Sequence, residues 1–101
     1  MAYTQRFHPG LAEDLKSLDR GIRKRVLKKM DEIAEKPELG KALGNRDNLD
    51  LSGYRKVYMD SKRIRIVYGV EEEEVVVYFV AVGARSDMEV YKEAFRRIRE
   101  A

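Results

Sequence analysis

The sequence predicts an α+β fold, in which a mostly antiparallel four-stranded sheet carries a helical hairpin and a C-terminal helix in the order β-α-α-β-β-β-α. Three observations predict it. Two amphipathic helical patterns follow one another between Leu11 and Ala34. Three β-type runs then come back to back between Tyr54 and Val82. Among these, Arg63–Val70 alternates cleanly and Val75–Val82 is nearly continuously apolar. Strands clustered after a helical hairpin place the helices on one side of the sheet.

Taken in order, Ala2–Phe7 is a short strand with Tyr3 and Phe7 as its apolar members, broken by His8-Pro9-Gly10. Pro9 suits a first helical position, where its missing N–H costs nothing. Leu11, Leu15 and Leu18 then fall at i, i+4 and i+7, one helical stripe. Asp19 is the expected N-cap of a second helix starting near Arg20. Its apolar stripe is Ile22, Val26, Leu27, Met30, Ile33 and Ala34, and Pro37 ends it. Residues Glu38–Asp50 have no clear period and contain Gly40, Gly44 and Asn45, so they read as a loop.

Tyr54–Met59 is the second strand, and Asp60-Ser61 is a turn with Lys62 at its edge. In Arg63–Val70, Ile64, Ile66 and Tyr68 share one face while Arg63, Arg65 and Val67 share the other. Glu71–Glu74 is an acidic, solvated turn. Val75–Val82 lacks alternation, the mark of a strand covered on both faces. Gly83 closes it, and Ser86 or Asp87 can cap a final helix in which Val90, Ala94 and Ile98 share a face flanked by Tyr91 and Phe95.

A chain of 101 residues is one domain. At this size about 60–65% of the unfolded surface is buried on folding, enough for a single core. The absence of cysteine removes disulfides and cysteine–metal sites and fits a reducing cytoplasm. No apolar run reaches the roughly 18–20 residues of a membrane span, and the N-terminus lacks a signal-peptide core. The expectation is a soluble, cytoplasmic protein with no membrane partner. Lys and Arg number 21 against 18 Asp and Glu, a formal charge of +3. Base is segregated into Arg20–Lys29, Arg55–Arg65 and Arg96–Arg99, which points to a polyanionic partner.

Paired carboxylates, a phosphate-binding glycine loop and a nucleophile elbow are all missing from the sequence. With no cysteine and a single histidine, neither a zinc site nor a Ser-His-Asp arrangement is expected, and no cofactor or metal is called for. His8, at a strand–helix junction, reads as a capping or surface residue. Lysine, arginine and tyrosine remain, and they suffice to cleave RNA. That reaction needs a base for the ribose 2′-OH, cations for the phosphorane-like transition state and an acid for the leaving 5′ oxygen. Neighbouring cations can lower a lysine pKa toward the working pH. Arginine matches phosphate oxygens, and tyrosine can stack on a base or donate its hydroxyl. Lys56, Arg63 and Arg65 lie in strand patterns, Arg85 just past a strand end, and Tyr91 opens the last helix. If Val57 and Met59 face the core, Lys56 and Tyr58 face outward with Arg65, and a one-residue slip would invert this.

Nearly the whole length resembles the RelE branch of the RelE/ParE toxin superfamily. The likeness is carried by F-x-P at Phe7–Pro9, an L-x-x-L helix entering I-R-x-R-V-L, and K-P-x-x-G-K-x-L over Lys36–Leu43. It continues through G-Y-R-K, R-I-V-Y at Arg65–Tyr68, and V-G-A-R-S-D-x-x-V-Y ending at Tyr91. The resemblance implies a ribosome-dependent mRNA endoribonuclease of a type II toxin–antitoxin system. Its implied partners are a cognate antitoxin, the ribosome and mRNA, with operator DNA reached only through the antitoxin. It implies Lys56 or a neighbour as base, Arg65 as phosphate clamp, Arg85 as acid or transition-state stabiliser, and Tyr91 as a residue orienting the substrate. The family's second lysine falls on Tyr58, a departure from its pattern. Arg55, Tyr58 and Arg63 are the expected additional RNA contacts. Two alternatives stay open: a ParE-like toxin that poisons DNA gyrase, and a catalytically degenerate binding protein on the same fold.

Overall fold

The computed structural model describes residues 2–46, 48–59, 63–84 and 87–100. Strand β1 (Thr4–Phe7) leads into helices α1 (Leu11–Lys16) and α2 (Arg20–Glu35) and a 3-10 turn at Pro37–Leu39. Three two-residue strands follow: β2 (Lys41–Ala42), β3 (Asn45–Arg46) and β4 (Leu49–Asp50). The long strands are β5 (Tyr54–Met59), β6 (Ile64–Glu71) and β7 (Val76–Gly83), and helix α3 (Asp87–Glu100) closes the chain.

The sheet has five strands rather than the expected four, in the order β1-β7-β6-β5-β2. The additional strand is β2, and β3 and β4 form a separate two-stranded ribbon. All three lie in the stretch expected to be loop, where two-residue pairings leave no periodic trace. The β5–β6–β7 meander is antiparallel, and β1 joins it parallel to β7, with Thr4 opposite Val76 and Phe7 opposite Phe79.

The helices occupy both faces, not one. Leu11 and Leu18, from α1 and the turn after it, pack with Val26, Met30 and Ile33 of α2 on Val57, Ile64, Ile66, Tyr68, Val77 and Phe79. On the opposite face, Val90, Tyr91 and Ala94 of α3 pack on Val67, Val80 and Ala81 together with Leu43 and Leu51. Each fully buried aliphatic or aromatic side chain stabilises the fold by about 1.5–3 kcal/mol. Alternation lets β7 serve both layers, and a bulge shifts its phase once. Val67 pairs with Ala81 and Tyr68 with Phe79, so Val80 is the extra residue, and Val80 and Ala81 both enter the α3 layer.

Local chemistry fixes the joints. Asp19 caps α2 by accepting from Gly21 N at 2.9 Å. Leu11, not Pro9, is the first helical residue of α1, with Gly10 at the N-cap. Arg23 donates to the carbonyls of Leu15 and Leu18 at 2.9 and 3.1 Å, closing the α1–α2 turn. His8 is a capping residue, its Nδ1 accepting from Gly10 N at 2.9 Å. Burial, and then Arg97 and Arg96, lower its pKa. The acidic turn extends to Val75, which precedes β7 with φ +56°. Ser86, one of the two cap candidates for the last helix, lies outside the described residues, as does the Asp60–Lys62 turn.

Candidate functional site

The site is built on the α3 side of β5 and β6. Strand pairing places Tyr58 opposite Arg65, and Lys56 opposite Val67. Because opposed residues of antiparallel strands share a face, Lys56, Tyr58 and Arg65 point the same way. Val57 points the other way, into the α1–α2 core. The parity expected from the sequence therefore holds. Arg65 is also opposite Gly83, the last residue of β7.

Lys56 is only 8% exposed. Its Nζ donates to Tyr58 Oη at 3.0 Å. It also sits 4.6 Å from the Tyr58 ring centre and 5.7 Å from that of Tyr91. Arg65 Cζ is 5.7 Å from the Tyr58 ring centre, and Arg65 Nη1 donates to the Arg63 carbonyl at 3.1 Å. Tyr58 thus lies close to two cations, Lys56 on its own strand and Arg65 across the strand pair, contacts favoured by the negative face of the phenol ring. Tyr91 lies on the first turns of α3, 1% exposed, and it forms the roof over Lys56.

A groove of about 230 Å³ runs beside this cluster, lined by Lys29, Leu39, Lys41, Lys56, Val57 and Tyr58. The structure also explains why β2 is held against this edge. Tyr68, fully buried, donates to the Pro37 carbonyl at 2.6 Å and accepts from Gly40 N at 2.8 Å. A Cβ on Gly40 would lie 2.5 Å from Tyr68 Oη and 2.7 Å from the Lys56 carbonyl. The K-P-x-x-G-K and R-I-V-Y motifs are therefore two halves of one hydrogen-bonded joint, which sets Lys41 opposite Lys56.

The electrostatics of Lys56 differ from expectation. Burial lowers its pKa, but hydrogen bonds and charge interactions with Tyr58 and Tyr91 outweigh burial, and the net shift is upward. No arginine is among the causes. An ammonium so held stays charged at neutral pH.

Other expected site residues are placed as follows. Arg63 is exposed just before β6. Arg55 stands on the opposite face, paired with Tyr68, and donates to the Gly40 carbonyl at 2.7 Å, so it braces β2 instead of joining Lys56. Arg85 lies outside the described residues. Among the described residues, no group of three or more His, Asp or Glu side chains is arranged to hold a metal ion. None of the described helices is long and apolar enough to cross a membrane.

Sequence reasoning missed one buried polar cluster. Arg97 Nη1 and Nη2 donate to Asp14 Oδ2 and Oδ1 at 2.7 and 3.0 Å. Arg97 also donates to the Val80 carbonyl at 2.8 Å and to Glu93 at 2.9 Å. Asp14 Oδ2 accepts from Val82 N at 3.0 Å. The signal was periodicity: Val90, Ala94 and Arg97 fall at i, i+4 and i+7, as Leu11 and Asp14 fall at i and i+3, so both charges sit on apolar stripes. With Arg97 buried and Arg96 paired to Glu93 and Glu100, the Arg96–Arg99 run is largely structural and not a free basic face.

Comparison with known proteins completes the picture. A family model described as the ParE toxin of type II toxin-antitoxin systems matches residues 6–89. The mRNA interferase toxin RelE of Escherichia coli (strain K12) is 35% identical over 100 residues, covering 97% of this chain and 99% of RelE. An arginine-substituted form of E. coli RelE in the free state superposes with a TM-score of 0.75 at 34% identity, covering 97% of this chain and 99% of that one. The toxin in the intact E. coli RelBE toxin-antitoxin complex gives 0.66 at 27% identity, covering 84% and 99%. Matched by the family model over most of its length, and by RelE from end to end, this chain belongs to the RelE/ParE family of type II toxin–antitoxin toxins, on the RelE branch.

Proposed function

We propose that this protein is the toxin of a type II toxin–antitoxin pair and that it cleaves translated mRNA at the ribosome. The observation that carries the reading is the gathering of Lys56, Tyr58 and Arg65 on one sheet face, with Tyr91 beside Lys56, in a chain 35% identical to an mRNA interferase. The reaction is an in-line attack of a ribose 2′ oxygen on the adjacent phosphorus. The bond from phosphorus to the 5′ oxygen breaks, a 2′,3′-cyclic phosphate forms, the 2′ proton passes to solvent water and the 5′ oxygen gains one. Arg65 and the Lys56 ammonium neutralise the charge building on the phosphoryl oxygens. Tyr58 and Tyr91 hold the Lys56 ammonium in place. Arg85 supplies the leaving-group proton or further charge, as the resemblance implies.

A cognate antitoxin is the expected protein partner, as RelB is for the E. coli toxin, with operator DNA reached only through it. The working compartment is the cytoplasm, where ribosomes and mRNA are.

The test is translation in a cell-free extract with primer-extension mapping. Cuts within codons, confined to translated mRNA, are the expected result. Intact mRNA accompanied by gyrase-dependent DNA breaks would replace this reading with the ParE-like one, which the description of the matching family model favours. Neither effect would leave a degenerate toxin that only binds.

A further inference from the structure

The Asp14–Arg97 cluster lies where the chain must hold the site together. Beyond the Phe7–Phe79 pair, β1 no longer accompanies β7. The outward-facing main-chain groups past that point are met by side chains instead. Arg97 gives a hydrogen bond to the Val80 carbonyl at the bulge, and Asp14 takes one from Val82 N. The two side chains join each other through both carboxylate oxygens while only 7% and 9% exposed. A Cβ on Gly10 would lie 2.7 Å from Arg97 Nη2, so the start of α1 is closed tightly onto the guanidinium.

This tie governs both elements that complete the site. Val82 and Gly83 are paired with Ile66 and Arg65, so the carboxylate of Asp14 fixes the strand end facing Arg65. Arg97 is six residues after Tyr91, about 9 Å along the same helix, so it fixes the depth at which Tyr91 settles over Lys56. A buried ion pair contributes little net stability over well-packed apolar groups, and its best-attested use is to specify one arrangement. We propose that Asp14 and Arg97 are positioning residues for RNA cleavage, holding α3 and the end of β7 in the register that brings Tyr91 to Lys56 and Arg65 to Tyr58. The inference rests on the cleavage reading above.

Two variants of the full-length protein test it, the apolar pair Asp14→Leu with Arg97→Met and the single Arg97→Lys. Two readouts separate it from the cleavage reading. The first is the NMR shift of the Lys56 ε-methylene protons, which the Tyr58 and Tyr91 rings displace whether or not the protein cuts RNA. The second is kcat against KM for translated mRNA. The Lys56 resonance is expected to move in both variants, with kcat down roughly tenfold or more and KM little changed. Arg97→Lys, which keeps the charge, should lose less. If the apolar pair does not fold, Arg97→Lys decides alone. A folded variant with an unmoved Lys56 resonance overturns the proposal, as does one with an undiminished kcat. A wild-type protein that leaves mRNA intact sinks the cleavage reading instead, while the resonance still reports on the positioning.

Discussion

Tyr58 and Arg65 stand directly opposite one another across β5 and β6, the guanidinium carbon 5.7 Å from the phenol ring centre, while the Lys56 ammonium lies 4.6 Å from the same centre. The departure from the family's second lysine is therefore a residue that joins two cations. Replacing Tyr58 by Lys would remove that joint and set like charges across the strand pair. The expected result is a loss of about 0.5–1 kcal/mol in stability, read by denaturant unfolding. A lysine there also lowers the Lys56 pKa by repulsion, shifting the pH profile of cleavage to lower pH. An unmoved profile would show that the two side chains do not communicate.

Lys56 itself separates two chemistries. Its pKa is pushed up by Tyr58 and Tyr91 after burial has been overcome. A lysine acting as an ammonium should be replaceable in part by arginine, and one acting as a base should not. Lys56→Arg is expected to retain most of the cleavage rate, and Lys56→Met to lose about 10²–10³-fold, in single-turnover assays on ribosomes. The sign for stability follows from the raised folded value. The interactions of the ammonium stabilise the fold fully below the unfolded lysine pKa of about 10.4 and fade as pH rises through the folded one. The stability gap between wild type and Lys56→Met should therefore narrow only above about pH 10.4.

Arg65 occupies the strand pair on both of its sides, opposite Tyr58 and Gly83. Arg65→Ala should lower cleavage by about 10²–10³-fold and leave the unfolding midpoint close to wild type. Arg63, exposed at the entrance to β6, should matter mainly to binding, so Arg63→Ala should flatten the salt dependence of binding and spare kcat. Growth arrest undiminished in Arg65→Ala would remove this residue from the site.

How much of this was readable beforehand follows from the period of each segment. The alternation of Arg63–Val70 fixed which residues share a face, and parity alone brought Lys56, Tyr58 and Arg65 together. Arg55 stands on the other face for the same reason, being one residue out of phase with Lys56. The unbroken apolar run of β7 already required cover on both faces, a demand that helices on a single side could not meet. What stayed hidden was non-periodic or long-range: the two-residue strands, the bulge at Val80, and the hydrogen bonds joining Gly40 to Tyr68 and Asp14 to Arg97. The last pair left only the faint mark of charges on apolar stripes.

The Tyr68 joint gives a stability prediction. Tyr68→Phe deletes the donor to the Pro37 carbonyl and the acceptor for Gly40 N, leaving both main-chain groups without that partner in a buried setting. A loss of about 1–3 kcal/mol is expected. Because β2 hangs on this joint, faster amide exchange at Leu43 and in the facing part of β5 should accompany it. Leu43 N is the amide that donates to the Tyr54 carbonyl at 2.9 Å.

Val75 offers the opposite sign. It turns the chain from the acidic loop into β7 with φ +56°, the left-handed region, where a β-branched side chain is crowded against its own backbone. Such a residue stores roughly 1–3 kcal/mol of strain. Its side chain returns little, since Val75 is 41% exposed. The contacts that hold the turn are main-chain: Val75 N donates to the Glu72 carbonyl at 3.3 Å, and its own carbonyl accepts from Thr4 N at 2.9 Å. Glycine keeps both and removes the crowding, while the unfolded chain gains flexibility that offsets about 0.4–1 kcal/mol of the relief. Val75→Gly should therefore stabilise the fold by about 1 kcal/mol, which raises the melting temperature of a chain this size by about 4–8 °C. Calorimetry reads this directly, and a midpoint at or below wild type would mean that the turn carries no such strain.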